Sequence, residues 1–197
     1  MPNMGFNDTV QLQAWSLVAD VGGTNARFAA VDTTNGQICE ITYFSVAEHQ
    51  VFADVFDLFL AQIVSLGDWA ERPQEACLAV ASPVDAADEM QALQFTNSAW
   101  RIDTADLSQR LGNIPFFVIN DFAAIGYAIL GLDSTDYWQL GGSQVLTDQP
   151  IAVLGPGTGL GVCTVVPTQP SPTVLAGEGG HADFAPVDAQ EIAVLNC

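Results

Sequence analysis

The 197-residue chain contains no lysine, and four arginines are its only permanently positive side chains. Without lysine there can be no Walker-A phosphate site, no Schiff-base intermediate and no lysine general base. Any phosphate site must therefore use backbone N–H groups, which glycine-rich turns present to an anion. The sequence has 17 glycines from which such turns can be built.

Positive charge is scarce overall, because the four arginines face 23 aspartates and glutamates and the formal net charge is -19. A chain this acidic repels nucleic acids and anionic membrane surfaces, which excludes both as partners. It also repels ATP, so a nucleotide can bind only where backbone amides and a divalent cation overcome the general field.

The four cysteines, at positions 39, 77, 163 and 197, form no Cys-x-x-Cys pair. This spacing fits neither a zinc site nor a compact disulfide framework, and reduced thiols in the cytoplasm are expected. The first fifteen residues have neither a basic region nor an apolar run, so no signal peptide is expected there. Four glycines and a proline interrupt the weakly polar stretch 151–166, which argues against a membrane span.

Hydrophobic patterning predicts an α/β fold that opens with three antiparallel strands. The second and third strands are separated by an Asn-Gly turn, and a later segment repeats the opening hairpin around a second glycine-rich turn. The predicted strands are 15–20, 26–32, 37–44, 76–81, 115–120, 151–154 and 160–166.

Helix signals lie between these strands. Ser45 and Glu48 match a capping box before a run of apolar residues at helical spacing, and Gly67 suits the end of that helix. Asp103 can cap a short helix that ends at Gly112. Further helices are predicted at 122–130 and from about residue 188.

The polar, turn-rich stretch 132–149 predicts a domain boundary. We therefore expect a small N-terminal lobe at 1–131 and the start of a large lobe at 132–197. The hydrophobic content of 49% is sufficient for one core and part of a second.

Two glycine-rich turns are candidate phosphate sites. The first, Asp20-Val-Gly-Gly-Thr-Asn25, places an aspartate beside amides that can bind an anion, and this carboxylate could hold Mg²⁺ through water. The second turn is Gly155-Pro-Gly-Thr-Gly-Leu-Gly161. Either turn alone could be an ordinary tight hairpin, but two turns after apolar strands can clasp one polyphosphate.

Two further segments carry candidate side chains. Asn120 and Asp121 stand at the carboxyl end of a buried strand, where α/β sheets bind ligands. A kinase needs a base near the acceptor hydroxyl, and Asp121 could supply it. Capping of the next helix would also explain Asp121. Glu178 and His181 stand in a glycine-rich loop and could accept and donate hydrogen bonds to sugar hydroxyls.

These motifs, with Gly177-Glu-Gly-Gly-His-Ala-Asp-Phe-Ala-Pro186, occur in the order and spacing of the bacterial glucokinases, which the sequence resembles along nearly its whole length. The resemblance implies an actin-like (ribonuclease H-like) ATPase fold with the site between two lobes. It also implies transfer of the ATP γ-phosphate to the 6-hydroxyl of glucose with Mg²⁺, in glycolysis and in the cytoplasm.

The resemblance also assigns roles to individual positions. Asp121 matches the catalytic base. Sugar-hydroxyl ligands are matched by Asn97, Asn120, Glu178 and His181. The phosphate-binding positions are matched by Gly22, Gly23, Thr24, Asn25, Gly157, Thr158 and Gly159.

Members of this family continue well beyond residue 197, so the resemblance predicts a C-terminally truncated chain with an incomplete large lobe. The expected remainder would carry a further glutamate ligand and the adenosine pocket. Two alternatives therefore stay open, namely a non-catalytic sugar-binding fragment and an unrelated actin-like ATPase. The related group with a cysteine-rich zinc motif is disfavoured because no cysteine cluster follows His181. The expected partner is glucose, and a homodimer is an open alternative to a monomer.

Overall fold

The computed structural model describes residues 12–84, 92–95, 100–142, 148–157, 159–183 and 185–195. The chain divides into two compact units, Met1–Asp121 and Phe122–Cys197. The lobe boundary that the sequence suggests after residue 131 stays a prediction.

The first unit is built on a five-stranded mixed sheet with the strand order β3-β2-β1-β4-β7. β1, β2 and β3 form the predicted antiparallel meander, whereas β4 and β7 run parallel to β1. Its elements are β1 (Trp15–Val21), β2 (Asn25–Asp32), β3 (Ile38–Ser45), α1 (Phe52–Leu66), β4 (Ala76–Val80), β5 (Ala92–Gln94), β6 (Arg101–Asp103), α2 (Thr104–Arg110) and β7 (Phe116–Asn120).

Helix α1 covers one face of this sheet with a stripe of aromatic and aliphatic side chains. Phe28 of β2 is fully buried at the centre of the contact, and its ring centroid lies 5.3 Å from that of Phe59 and 5.9 Å from that of Phe52. Each such buried side chain contributes about 2–3 kcal/mol relative to an exposed one. This packing holds β1 and β2 in place, and with them the turn that joins the two strands.

The start of α1 differs from the prediction, and its end agrees with it. Ser45 is the last residue of β3 and pairs with Asn25, so it belongs to the sheet and does not cap the helix. The helix begins at Phe52, and its N-cap residue, Val51, makes no side-chain capping bond. Gly67 ends the helix in the left-handed conformation with φ of 79°, as predicted.

The predicted cap of α2 is confirmed. The carboxylate of Asp103 accepts hydrogen bonds from the backbone N–H groups of Ala105 and Asp106, both at 3.1 Å. The helix itself ends at Arg110, and Gly112 follows it with φ of 80°.

The second unit contains a three-stranded antiparallel sheet with the order β10-β9-β8, which repeats the meander of the first unit. A cysteine and two valines form its small core (Val153, Cys163 and Val165). Its elements are α3 (Asp121–Ile129, which starts at the last residue of the first unit), β8 (Ile151–Pro156), β9 (Leu160–Val166), β10 (Thr173–Gly177), a 3₁₀ turn (Gly179–His181) and α4 (Ala189–Leu195).

Helix α3 packs closely on this sheet at Gly126. A Cβ atom there would lie 2.6 Å from Cγ1 of Val174 and 2.9 Å from Sγ of Cys163, so the close approach needs glycine. The predicted start of α4 is confirmed, because Asp188 accepts the N–H groups of Gln190 and Glu191, both at 2.8 Å. Among the helices that the structure describes, each is too short or too polar to cross a lipid bilayer.

Candidate functional site

One edge of the first unit's sheet gathers two of the predicted motifs. The parallel strands β1, β4 and β7 end in register, with Val21 opposite Val80 and Val80 opposite Asn120. The Asp20–Asn25 turn therefore leaves the same edge as the Asn120-Asp121 pair, two strands away, or roughly 10 Å. The carboxyl ends of strands in such a sheet are where α/β proteins bind ligands.

The first glycine-rich turn is a tight hairpin between β1 and β2. The N–H group of Gly22 donates to the carbonyl of Asn25 at 3.0 Å, which leaves Gly23 and Thr24 at the tip. A Cβ atom on Gly22 would make only an ordinary contact of 3.5 Å, so packing within the protein does not require glycine there. Close approach of a ligand to the backbone would require glycine at this position.

This turn borders a shallow cavity of about 220 Å³. The cavity is lined by Asp20, Gly22, Gly23, Thr24, Asn25 and Arg27. Five of these six residues belong to the motif that the sequence singles out as a phosphate site. The sixth, Arg27, is a functional candidate that the sequence reasoning missed.

Arg27 lies directly opposite Asp20 in the hairpin register, and its Nη1 atom lies 3.0 Å from Oδ2 of Asp20. Both side chains are about half exposed, at 58% and 52%. The seven-residue spacing across a tight turn was the signal that could have revealed this pair. Within the described ranges, no group of three or more His, Cys, Asp or Glu side chains could hold a metal ion, so Asp20 is a single candidate ligand.

Asn120 and Asp121 stand at the junction of β7 and α3. Asn120 is partly buried, and its side-chain amide donates to the carbonyl oxygen of Ser82 at 3.3 Å, which ties it to the loop after β4. Asp121 is the first residue of α3. The N-terminus of a helix carries partial positive charge, which favours a carboxylate at this position.

The second glycine-rich turn joins β8 and β9. Gly157 donates its N–H group to the carbonyl of Gly159 at 2.8 Å. The nearest atom to a Cβ on Gly157 would be 3.8 Å away, so the turn itself does not require glycine at this position. Thr158 lies outside the described residues.

The glycines that flank this turn have a different purpose. Gly155 and Gly161 pair across β8 and β9, and the ring of Phe122 packs on both. A Cβ atom on Gly155 would lie 2.5 Å from Cζ of Phe122, and one on Gly161 would overlap the ring. These two glycines therefore serve packing beneath the turn.

We expect Gly161→Ala to destabilise the protein by about 1–3 kcal/mol, because Phe122 must move to admit the methyl group. Chemical denaturation of the variant measures the loss. The double variant with Phe122→Leu should recover part of it, since the smaller side chain leaves room. A loss of the same size with and without the second substitution would show that Phe122 is not the obstacle.

The Gly177–His181 segment lies beside the second turn, within the second unit. Gly177 ends β10 opposite Val162, and the 3₁₀ turn that follows contacts β9. A Cβ atom on Gly180 would overlap the carbonyl oxygen of Leu160 and lie 2.6 Å from its carbonyl carbon. Only glycine lets the backbone of this turn rest on the first residue of β9, next to the exposed Glu178.

Two predicted sugar ligands cannot be placed in full. Asn97 lies outside the described residues, and so does the side chain of His181, although its backbone ends the 3₁₀ turn. Their roles stay predictions.

The described cysteines, Cys39, Cys77 and Cys163, are free thiols. Burial raises the pKa of Cys77, and the nearby charge of Glu75 raises it further. Burial also raises the pKa of Cys163, against a smaller lowering by a hydrogen bond with the backbone of Gly126. Both thiols are therefore protonated at neutral pH and are poor nucleophiles.

The mixed sheet, the repeated meander and the two glycine-rich turns define an actin-like sugar kinase fold. The family model described as glucokinase matches residues 17–197. The chain therefore belongs to the glucokinase family, as its motifs predict.

Similar proteins support this assignment. The chain is 37% identical over 184 residues to glucokinases of Yersinia pestis (strain Pestoides F) and of Yersinia pseudotuberculosis serotype O:1b (strain IP 31758). Each match covers 93% of this chain and 54% of the relative, so the chain spans about half the length of these curated relatives.

Two solved structures are also similar. A glucokinase from an Antarctic psychrotroph superposes with a TM-score of 0.73 at 34% identity, over 92% of this chain and 55% of that one. The Balamuthia mandrillaris glucokinase, solved in complex with glucose, gives a TM-score of 0.69 at 20% identity, over 93% and 54%. The latter similarity concerns the fold alone.

Proposed function

We propose that this protein is an ATP-dependent glucose kinase, which transfers the γ-phosphoryl group of ATP to the 6-hydroxyl of glucose. The observation that carries the proposal is the arrangement at one sheet edge, where a turn suited to phosphate and the Asn120-Asp121 pair leave strands in register. Membership of the glucokinase family supports it.

In this proposal Asp121 accepts the proton of the sugar 6-hydroxyl. The sugar oxygen then forms a bond to the γ-phosphorus while the bond to the β,γ-bridging oxygen breaks, and ADP leaves with that electron pair. Asn120 and Glu178 hold other sugar hydroxyls, together with Asn97 and His181. Phosphoryl transfer needs mainly positioning and charge stabilisation, which these groups and the glycine turns can supply.

Mg²⁺ is the metal that such a reaction takes. It binds oxygen ligands, often one or two carboxylates with several waters and the substrate phosphates. The single exposed carboxylate of Asp20, at the border of the cavity, fits that pattern. The bound ion would neutralise phosphate charge. This matters because a chain with a net charge of -19 repels the phosphates of ATP. Use of ATP makes the cytoplasm the proposed location, and phosphorylation of glucose makes glycolysis the proposed pathway.

The direct test is ADP formation by the full chain with Mg-ATP, in the presence and absence of glucose. Glucose-dependent ADP formation is expected. Equal ADP formation without any sugar would favour an actin-like ATPase with water as the acceptor. Absence of ADP under both conditions would contradict the kinase activity of this chain.

Sugar binding without catalysis is the second candidate. It is favoured by the Gly177–His181 segment, where the exposed Glu178 can accept hydrogen bonds from sugar hydroxyls without any nucleotide. The measurement that separates the two is thermal stabilisation by glucose. A rise in melting temperature without ADP formation would indicate a sugar-binding protein. A rise in melting temperature together with ADP formation would indicate the kinase.

A further inference from the structure

We propose that Asn35 is a site of spontaneous covalent modification, at which the side chain loses ammonia and becomes aspartate or isoaspartate, and that Asp32 slows this reaction by holding the turn closed. The site lies in the turn between β2 and β3, within the first unit. It is independent of the proposed kinase function, because the reaction needs only this chain and water.

The sequence and the exposure of the turn single out this position. Asn35 is the only asparagine in the sequence that is followed by glycine. Asparagine is a thermolabile side chain, because the backbone nitrogen of the next residue can attack its amide carbon. A Cβ atom on that next residue would crowd the nitrogen, and glycine has none. Both residues are exposed, and a Cβ atom on Gly36 would meet nothing within 4 Å, so solvent reaches the peptide bond between them.

The reaction forms one carbon–nitrogen bond and breaks another. The nitrogen of Gly36 gives its proton to hydroxide and bonds to Cγ of Asn35. The bond from Cγ to Nδ2 then breaks, and the leaving nitrogen takes a proton from water and departs as ammonia. Water opens the resulting succinimide ring. Opening at one carbonyl gives aspartate, and opening at the other gives isoaspartate, in which the main chain continues through the former side chain.

The turn holds the amide carbon of Asn35 ready for attack. The backbone N–H group of Gln37 donates to Oδ1 of Asn35 at 2.7 Å, as in an Asx turn. Negative charge develops on this oxygen when Cγ is attacked. The N–H group of Gln37 can therefore stabilise the transition state in the way that an oxyanion-hole donor does.

The same turn withholds the attacking nitrogen. The N–H group of Gly36 donates to the carbonyl oxygen of Asp32 at 2.8 Å, which keeps the proton on the nitrogen. The carboxylate of Asp32 accepts a bond from Nδ2 of Asn35 at 3.0 Å, and it accepts the backbone N–H and the hydroxyl of Thr34 at 2.7 and 2.6 Å. Attack on Asn35 therefore requires that the turn open locally, against the hydrogen bonds of Asp32.

The carboxylate of Asp32 is ionised at neutral pH, because hydrogen bonds from the hydroxyl and then the backbone of Thr34 lower its pKa. A second carboxylate at position 35 would lose the hydrogen bond to Asp32 and place two like charges side by side. Isoaspartate would also add a methylene group to the main chain of the hairpin. We therefore expect the modified protein to melt at a lower temperature.

The candidate functional site should not be affected. β2 runs from Asn25 to Asp32, so the modified turn lies at the opposite end of this strand from the first glycine-rich turn, roughly 20 Å away. Glucose-dependent ADP formation, measured below the melting temperature, should be the same before and after modification.

The test follows residue 35 in the purified full chain, kept folded at mildly alkaline pH. Cleavage after Arg27 and after Glu40 releases the segment 28–40, in which Asn35 is the only asparagine. Mass spectrometry measures the fraction of this segment that has changed from amide to acid, and chromatography separates aspartate from isoaspartate. Asn113 is the control in the same sample, because it is also exposed but precedes a branched isoleucine.

Three variants test the role of the turn. Asp32→Ala removes the carboxylate, and Thr34→Val is a milder change that removes only the hydroxyl bond to it. Gly36→Asn keeps the left-handed backbone, with φ of 73°, which asparagine tolerates, but it adds a Cβ atom beside the attacking nitrogen. Each variant is compared with the wild type both folded and unfolded in urea, and its melting temperature shows whether it is folded.

In the folded wild type we expect residue 35 to be converted before Asn113, with isoaspartate among the products. Asp32→Ala should react about fivefold faster or more, which is the change in an opening equilibrium that loss of one hydrogen bond causes. Thr34→Val should lie between Asp32→Ala and the wild type, and Gly36→Asn should react far more slowly than either. In urea the wild type and Asp32→Ala should react at the same rate, because the turn is no longer formed.

The site is overturned if Asn113 is converted as fast as residue 35 in the folded wild type. The role of Asp32 is overturned if Asp32→Ala and Thr34→Val react as slowly as the wild type, or if Asp32→Ala is faster by the same factor in urea. A variant that carries the product, Asn35→Asp, should melt at a lower temperature than the wild type, and an equal melting temperature would contradict the effect on the hairpin. None of these outcomes depends on whether the chain phosphorylates glucose.

Discussion

Replacing Asp121 with asparagine is expected to lower kcat for glucose-dependent ADP formation by about 100- to 10,000-fold. Asparagine keeps the size and shape of the side chain but cannot accept the proton of the attacking hydroxyl. The KM values for glucose and ATP should change much less, because Asp121→Asn removes an interaction that matters chiefly in the transition state. Steady-state kinetics of the purified variant at saturating substrates provide the measurement.

Asp103→Asn is the matched control. Like Asp121, Asp103 stands where a strand passes into a helix, and its carboxylate caps α2 through Ala105 and Asp106. Asparagine is as good a cap as aspartate, so this variant should keep both its stability and its activity. If Asp121→Asn were equally harmless, Asp121 would be only a helix-terminal residue and the base would have to be sought elsewhere.

The first three strands and their antiparallel pairing could be predicted because patterning and turn chemistry agree there. The β1–β2–β3 meander follows from short apolar runs and an Asn-Gly signal, and Gly67 and Asp103 end or begin helices as their chemistry requires. Ser45 shows the limit of local rules. Its sequence matches a capping box, but pairing with Asn25 in the sheet satisfies its backbone and the helix begins later.

Only part of the candidate site could be predicted from the sequence, and the reason is physical. A glycine in a turn can serve a ligand, the backbone geometry or a neighbouring side chain, and the sequence does not distinguish these uses. Gly161 is needed because Phe122 packs on it, a contact between residues nearly forty positions apart, whereas Gly22 has no such neighbour. Arg27 was missed because only the register of the hairpin shows that it lies opposite Asp20.

Gly180→Ala is expected to abolish most of the affinity for glucose. The obstacle to a methyl group is the backbone carbonyl of Leu160, which cannot turn aside as a flexible side chain can. The 3₁₀ turn must therefore shift by about 1 Å or more, and it would take Glu178 and the following residues with it. Misplacement of that size can cost about a hundredfold, and we expect the dissociation constant for glucose, obtained from thermal stabilisation, to rise by this order.

Two companion variants separate packing from sugar binding. Gly179→Ala tests the fold, because a Cβ atom at Gly179 would meet nothing within 4 Å and its free energy of unfolding should match that of the wild type. Glu178→Gln keeps the size of the side chain and should weaken glucose binding by removing a charged acceptor. If Gly180→Ala bound glucose normally, the turn would not position the sugar ligands. If Glu178→Gln bound glucose normally while Gly180→Ala did not, the turn would act through residues other than Glu178. The backbone of the Gly177–His181 segment would then be the next group to test.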